Sequence, residues 1–235
     1  MNKAGKITPD SFKIINERIH SACENSGRKV DDVQIVAVTK TFGIDAINSA
    51  LDLGIICIGE NKVQEVEFKI QQITDRPNKE IHFIGHLQSN KVRKILNLVD
   101  VIETVDSLKL ATRINNISKE LNQKSTIYLQ VNTGNDPAKF GFQSEEIRSV
   151  AKEVSEMENL NLSGIMTIPP ILNDKKELKS IFKKTRDIRD EIQNHINSNC
   201  KNLSMGMSGD FETAIECGAT HIRLGTILFG KRDYN

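Results

Sequence analysis

The chain has 235 residues, enough for one large barrel or two small domains, and length alone favours neither. Thirty-two Lys and Arg against thirty-one Asp and Glu leave a formal net charge of +1, so no overall field draws the chain to nucleic acid or to an anionic membrane. The opening residues, MNKAGKITPDSFK, lack the apolar core of a signal peptide, and no apolar run nears the ~20 residues that span a bilayer, so a soluble cytoplasmic protein is expected.

A helix is expected over residues 9–25. After it, short runs rich in Val and Ile alternate with longer stretches whose apolar residues recur at helical spacing. The expected strands are 33–39, 55–58, 81–85, 99–103, 126–132, 161–166, 202–205 and 221–224. The helices between them are 44–53, 62–73, 90–96, 107–121, 144–157, 174–197 and 209–217.

Regular alternation of strand and helix implies a parallel sheet, and eight repeats favour closure over an open sheet with exposed edges. The fold class is therefore α/β, a single (β/α)8 TIM-type barrel over residues 1–235 with an extra N-terminal helix. Little chain follows the eighth strand, so the N-terminal helix is expected to fill the place of the missing outer helix. The longest break in pattern, 134–143, suits a functional loop after strand five.

Barrel sites lie at the C-terminal ends of the strands, and polar groups collect there. Lys40 follows VQIVAVT, and alternation puts it on the face of Val36 and Val38. Facing inward, a partly desolvated lysine becomes a nucleophile toward carbonyl compounds; facing outward, it is a solvated strand end. Arg223 alternates with aliphatics in HIRLGT and needs a partner, either a carboxylate of the same barrel or the ring nitrogen of a bound heterocycle.

After strand seven, Ser208 reads as the N-cap of a helix, and after strand eight Gly225-Thr226 opens a second turn. Barrels often hold phosphate with these two loops, since small residues let backbone N–H groups approach the oxygens. Asn61 either contacts a ligand ring or caps the helix beginning at Lys62. His82 and His86 lie ~13 Å apart along a strand and cannot share a metal, which leaves His86 as a candidate for ligand contact at the mouth. Cys23, Cys57, Cys200 and Cys217 form no CxxC pair and no closely spaced metal set, so no metal site is expected; Cys57 and Cys217 read as buried small hydrophobes.

Together the segments VAVTKTF around Lys40, IGENKVQE (58–65), IHFIGHLQSNK (81–91), QVNTGNDPAKFGF (130–142), SGIMTIPP (163–170), LSMGMSGDFETAI (203–215) and HIRLGTILFGKR (221–232) resemble the pyridoxal phosphate homeostasis protein family. Its members are related to the N-terminal barrel of alanine racemase. The resemblance implies pyridoxal 5′-phosphate (PLP) as cofactor, Lys40 as the Schiff-base lysine and Arg223 as partner of the pyridine nitrogen. It further implies that Ser208, Gly225 and Thr226 hold the phosphate, with Asn61 and Met205 near the cofactor. Two positions depart from the family's usual pattern: Thr39 stands where Ser is commoner, which keeps a hydroxyl, and Lys62 where Tyr is common, which removes an aromatic.

A protonated pyridine nitrogen makes PLP a better electron sink, and an arginine partner disfavours that protonation. Racemisation also needs acid–base groups on both faces of the substrate carbon. The tyrosines are Tyr128, near the start of strand five, and Tyr234, in the extreme tail, and neither is an evident second base. The expectation is a PLP carrier or regulator in vitamin B6 homeostasis without efficient turnover, monomeric, with PLP-dependent apo-enzymes as recipients. The alternatives are a PLP-dependent racemase or aldolase acting on amino acids, and a barrel for another phosphorylated metabolite.

Overall fold

The computed structural model describes residues 5–73 and 78–230, so Tyr234 lies outside the described residues. Helix α1 (Pro9–Asn25) opens at Thr8, whose hydroxyl accepts the Ser11 amide, and proline at the first turn sacrifices no helical bond. Ile15, Ile19, Ala22 and Cys23 form its buried stripe.

Eight parallel strands follow: β1 (Gln34–Val38), β2 (Cys57–Glu60), β3 (Glu80–Phe83), β4 (Val101–Val105), β5 (Ser125–Gln130), β6 (Leu160–Met166), β7 (Asn202–Met207) and β8 (His221–Leu224). Each pairs with the next, and β8 pairs with β1 in the register Val36 to Arg223, so the barrel is closed as expected. The outer layer is α2 (Ile44–Asp52), α3 (Val63–Ile70), α4 (Val92–Ile95), α5 (Leu108–Glu120), α6 (Ile147–Ser155), α7 (Lys175–His195) and α8 (Phe211–Glu216), followed by α9 (Thr226–Phe229). Where one helix is expected over 90–96, a 3-10 turn (Ser89–Lys91) precedes the short α4. Among the described residues no helix is long and apolar enough to cross a membrane.

α1 packs on α8 and α9 and takes its expected place in the outer layer. Arg18 pairs with Glu212 and lies 4.7 Å above the Phe211 ring, and Arg28 donates to the carbonyls of Ile215 (2.9 Å) and Ala219 (2.7 Å). The lead-in residue Ile7 donates to Ser49 of α2, which completes the ring of helices.

Strand alternation sorts the core into two layers. Ala37, Ile58, Phe83, Ile102, Leu129, Ile165, Leu203, Met205, Ile222 and Leu224 belong to the apolar layer between strands and helices. Inside the barrel, Val101, Tyr128 and Met166 share the space with buried His82, Glu103, Ser204, His221 and Arg223. Polar groups removed from water this completely destabilise the fold unless they are hydrogen-bonded, and His82, Glu103, Ser204 and Arg223 form one chain of such bonds.

Candidate functional site

The rim at the end of β1 is held by ionic contacts with α3. Thr39 donates its amide to Gly59 O (3.0 Å) and its hydroxyl to Glu60 Oε1 (2.6 Å). The buried Lys69 ammonium donates to Thr39 O (2.9 Å), Glu60 Oε1 (2.7 Å) and Glu65 Oε2 (2.9 Å). Thr41 has φ +69, a left-handed conformation costing about 1–2 kcal/mol for a residue with a Cβ, and its amide is held by Glu65 Oε2 at 2.8 Å. Lys40 is therefore half-buried between two pinned neighbours, two residues beyond Val38. Burial pushes the Glu60 carboxyl up despite Lys69, whereas for Glu65 burial is outweighed by the Thr41 amide and Lys69, which hold it below the usual carboxylate range.

Arg223 closes a chain of bonds across the interior. His82 Nδ1 lies 2.6 Å from Glu103 Oε1, Ser204 Oγ donates to Glu103 Oε2 (2.6 Å), and Arg223 Nη1 donates to Ser204 Oγ (2.7 Å). Arg223 Nη2 donates to Thr167 O (2.8 Å). Of the two partners open to Arg223 in the sequence, the carboxylate enters only through Ser204: among the described residues no acidic group pairs with the guanidinium directly. Burial opposes ionisation of Glu103, but His82, Arg223 and Ser204 overcome it and hold its carboxyl down at about 2. Burial likewise lowers the Arg223 guanidinium from its ordinary value, while Glu103 and Asp210 support the charge.

The loops after β7 and β8 meet, but not as the capping rule predicts. The cap position of α8 is Asp210 rather than Ser208, and the Asp210 carboxylate reaches back to accept the Met207 amide at 2.5 Å. Ser208 Oγ instead accepts the Ile227 amide of α9 (3.3 Å), which ties the two loops together. Gly206, at φ +91, lies inside β7 where its register with β8 shifts, and a Cβ there would meet Ala214 Cβ at 2.5 Å. Ser208, Gly225 and Thr226 are thus brought to one place. The Met205 side chain is not: it is fully buried in the layer between β7 and the helices.

Asn61 does not cap α3 either. Lys62 holds the cap position without a side-chain bond, and Asn61 packs against Gly85 so closely that a Cβ there would lie 2.1 Å from Asn61 O. Its Oδ1 is buried without a hydrogen-bond partner in the protein. Nearby, the His86 ring stacks on Phe140 (4.1 Å, 16°) and contacts Asp106 at 3.1 Å. Phe140 belongs to the irregular segment after β5, which Gln130 anchors by donating from Nε2 to Phe140 O (2.9 Å) and accepting the Phe142 amide (2.8 Å).

Tyr128 is the fourth residue of β5, inside the barrel, edge-on to His82 (6.4 Å) and His221 (6.0 Å). Burial and the carboxylates of Glu103 and Glu80 push its phenol well above the ordinary range. All four cysteines are buried. Contrary to the sequence spacing, Cys57 joins His82 and His221 in one cluster at the N-terminal face.

The positioning groups Glu60, Glu65, Lys69, Glu103 and Ser204 are absent from the sequence-based site. Only the Glu65–Lys69 spacing of one helical turn hints at any of them.

Residues 15–233 match the family model described as alanine racemase, N-terminal domain. The pyridoxal phosphate homeostasis protein of Aquifex aeolicus is 38% identical over 218 residues, 93% of this chain and 95% of that protein. Its counterpart in Escherichia coli is 34% identical over 229 residues, covering 94% and 95%. Among solved structures, Synechococcus elongatus PipY with PLP bound has a TM-score of 0.81 at 36% identity, over 92% of this chain and 100% of PipY. A Clostridium difficile alanine racemase shares the fold, with a TM-score of 0.74 at 18% identity over 98% of this chain and 59% of the racemase.

Proposed function

The chain belongs to the family of pyridoxal phosphate homeostasis proteins, built on the alanine racemase N-terminal domain, and on that premise we propose that it binds PLP as a Schiff base on Lys40 and serves PLP homeostasis as a carrier or regulator. The observation that carries the reading is the Ser208–Ile227 bond, which joins the loops after β7 and β8 into one cradle on the barrel face where Lys40 and Asn61 also emerge.

The residues suit the cofactor. The Lys40 amine adds to the aldehyde and water leaves, forming the covalent link. Ser208 and Thr226 offer hydroxyls and Gly225 a backbone without a side chain for the phosphate. Arg223 retains guanidinium N–H donors beyond its bonds to Ser204 and Thr167, and one of them binds the pyridine nitrogen. The partnerless Asn61 oxygen accepts from the ligand, and Met205 supports the cradle from behind.

When bound, PLP supplies an electron sink for carbanions, and a cationic partner at its ring nitrogen weakens that sink. Holding the cofactor thus suits this site better than rapid turnover. Tyr128 agrees with the carrier reading: deep in the barrel and with its phenol pushed up, it is no base for a substrate at the mouth. The carrier works in the cytoplasm as a monomer and passes PLP to apo-enzymes that depend on it.

Borohydride reduction and peptide mapping of the purified protein test the anchor, with the pyridoxyl group expected on Lys40; labelling elsewhere overturns it. Assay against a panel of amino acids tests the role. Robust turnover that is lost in Lys40→Ala would establish a racemase or aldolase instead.

A further inference from the structure

The floor of the barrel, on the face opposite Lys40, gathers a second set of chemically capable side chains. Cys57 and Glu80 are the first residues of β2 and β3, His221 is the first of β8, and His82 points inward one step above Glu80. The ligand atoms of Cys57, His82 and His221 all lie within 4.8 Å of one another, and all three residues are buried. Glu80 completes the set, with Oε1 3.6 Å from His82 Nε2 and Oε2 3.8 Å from Cys57 Sγ.

Among the described residues each imidazole is hydrogen-bonded at one nitrogen, and His82 Nε2 faces Glu80 at 3.6 Å. His82 Nδ1 sits 2.6 Å from Glu103, and His221 Nδ1 sits 2.9 Å from Thr220 Oγ1, which leaves Nε2 of both rings for another partner. His82 is completely buried, yet its Nε2 has no hydrogen-bond partner. A protein rarely leaves such a nitrogen unsatisfied. A histidine fixed through one nitrogen by a carboxylate, with the other directed at a cluster of donors, has the orientation of a metal ligand.

We propose that Cys57, His82, His221 and Glu80 bind a zinc ion that ties β2, β3 and β8 together at the N-terminal face of the barrel. A thiolate, two imidazoles and a carboxylate suit Zn2+, which is borderline-soft and takes four such ligands in a tetrahedron. Metal–ligand bonds of about 2.0–2.3 Å put the ligands of a tetrahedron roughly 3.3–3.8 Å apart, so Cys57, His82 and His221 need to draw in by only about 1 Å. The Glu80–His82 separation already falls in that range. Glu80 is half-exposed and gives the ion its route from solvent. With four protein ligands and a place on the stabilising face of the barrel, the role is structural. The competing account has no metal and holds His82 as an imidazolium between Glu80 and Glu103.

The test uses the tag-free full chain, dialysed against Zn2+ and then against metal-free buffer. Elemental analysis should find about one zinc per chain, falling to background in Cys57→Ala and in His221→Ala, and Zn2+ should raise the Tm of the parent protein only. Glu103→Gln should weaken zinc binding by about 10–100-fold, as expected for a group that orients a ligand. Co2+ in the unmutated protein gives an independent readout that does not depend on variants folding: intense tetrahedral bands in the red, beyond PLP absorption, with a thiolate charge-transfer band. Less than about a tenth of an equivalent of zinc, undiminished zinc in Cys57→Ala, or a weak octahedral cobalt spectrum overturns the proposal in favour of the imidazolium.

Discussion

The ammonium of Lys69 lies 2.9 Å from the main-chain oxygen of Thr39, the residue directly before Lys40, so a lysine of α3 holds the backbone that carries the proposed PLP anchor. Lys69 is also the counter-ion of Glu60, whose side chain is almost entirely buried. Removing one partner of such a pair leaves a bare charge in a poor solvent. Lys69→Met should therefore destabilise the fold by about 3 kcal/mol or more, lowering Tm by roughly 6–12 °C, and adding Glu60→Gln should recover much of the loss. Equal urea midpoints for parent and Lys69→Met would show that the pair contributes little.

Ser204 joins Glu103 to Arg223, donating to the carboxylate and accepting from the guanidinium. Ser204→Ala empties that junction and leaves Glu103 Oε2 and Arg223 Nη1 each short of a partner. The expected cost is about 1–3 kcal/mol in chemical denaturation, together with a shift in the visible absorption of bound PLP as Arg223 changes position. An unchanged spectrum would detach Arg223 from the cofactor ring.

Glu65 contributes to the pH dependence of stability. Burial raises its pKa, but the Thr41 amide and the Lys69 and Lys62 ammonium groups lower it further, so the folded value lies below the unfolded one. The resulting stabilisation is fully present above the unfolded value and is lost as pH falls through the folded one. Glu65→Gln should lower Tm at neutral pH, with the gap to the parent closing below about pH 4. A gap that stays constant down to pH 3 would rule out this linkage.

Ser208→Ala with Thr226→Ala should weaken PLP retention by at least about tenfold, since a hydrogen bond to a charged group contributes roughly 1.5–3 kcal/mol. Binding of pyridoxal, which lacks the phosphate, should change little. Equal losses for both ligands in equilibrium dialysis would move the phosphate elsewhere.

Much of this arrangement is legible in the sequence. The bounds of α1 and β8 agree with expectation residue for residue, because a capped, proline-initiated amphipathic helix and a short Ile/Leu run ending at glycine are local signals. Alternation also puts Lys40 on the face of Val36 and Val38, and Arg223 on that of His221. Local rules mislead where a neighbour competes: at the start of α8 the Asp210 carboxylate takes the amide of Met207, which frees Ser208 for α9. Lys69 is hidden for another reason. One turn from Glu65, it reads as a surface pair, and only the docking of α3 on the ends of β1 and β2 buries it. The meeting of Cys57 and His82 with His221 depends on barrel closure, which joins strands far apart in the chain.

That closure also sets a schedule. β1 and β8 are hydrogen-bonded neighbours, yet β1 leaves the ribosome before β2 to β7 and β8 after them. A nascent chain complete through β7 already displays Lys40 but lacks Arg223, Gly225 and Thr226, so the proposed anchor precedes the proposed ring partner and phosphate groups. On the proposed site, competence to retain the cofactor arrives with β8, in the same step that seals the sheet.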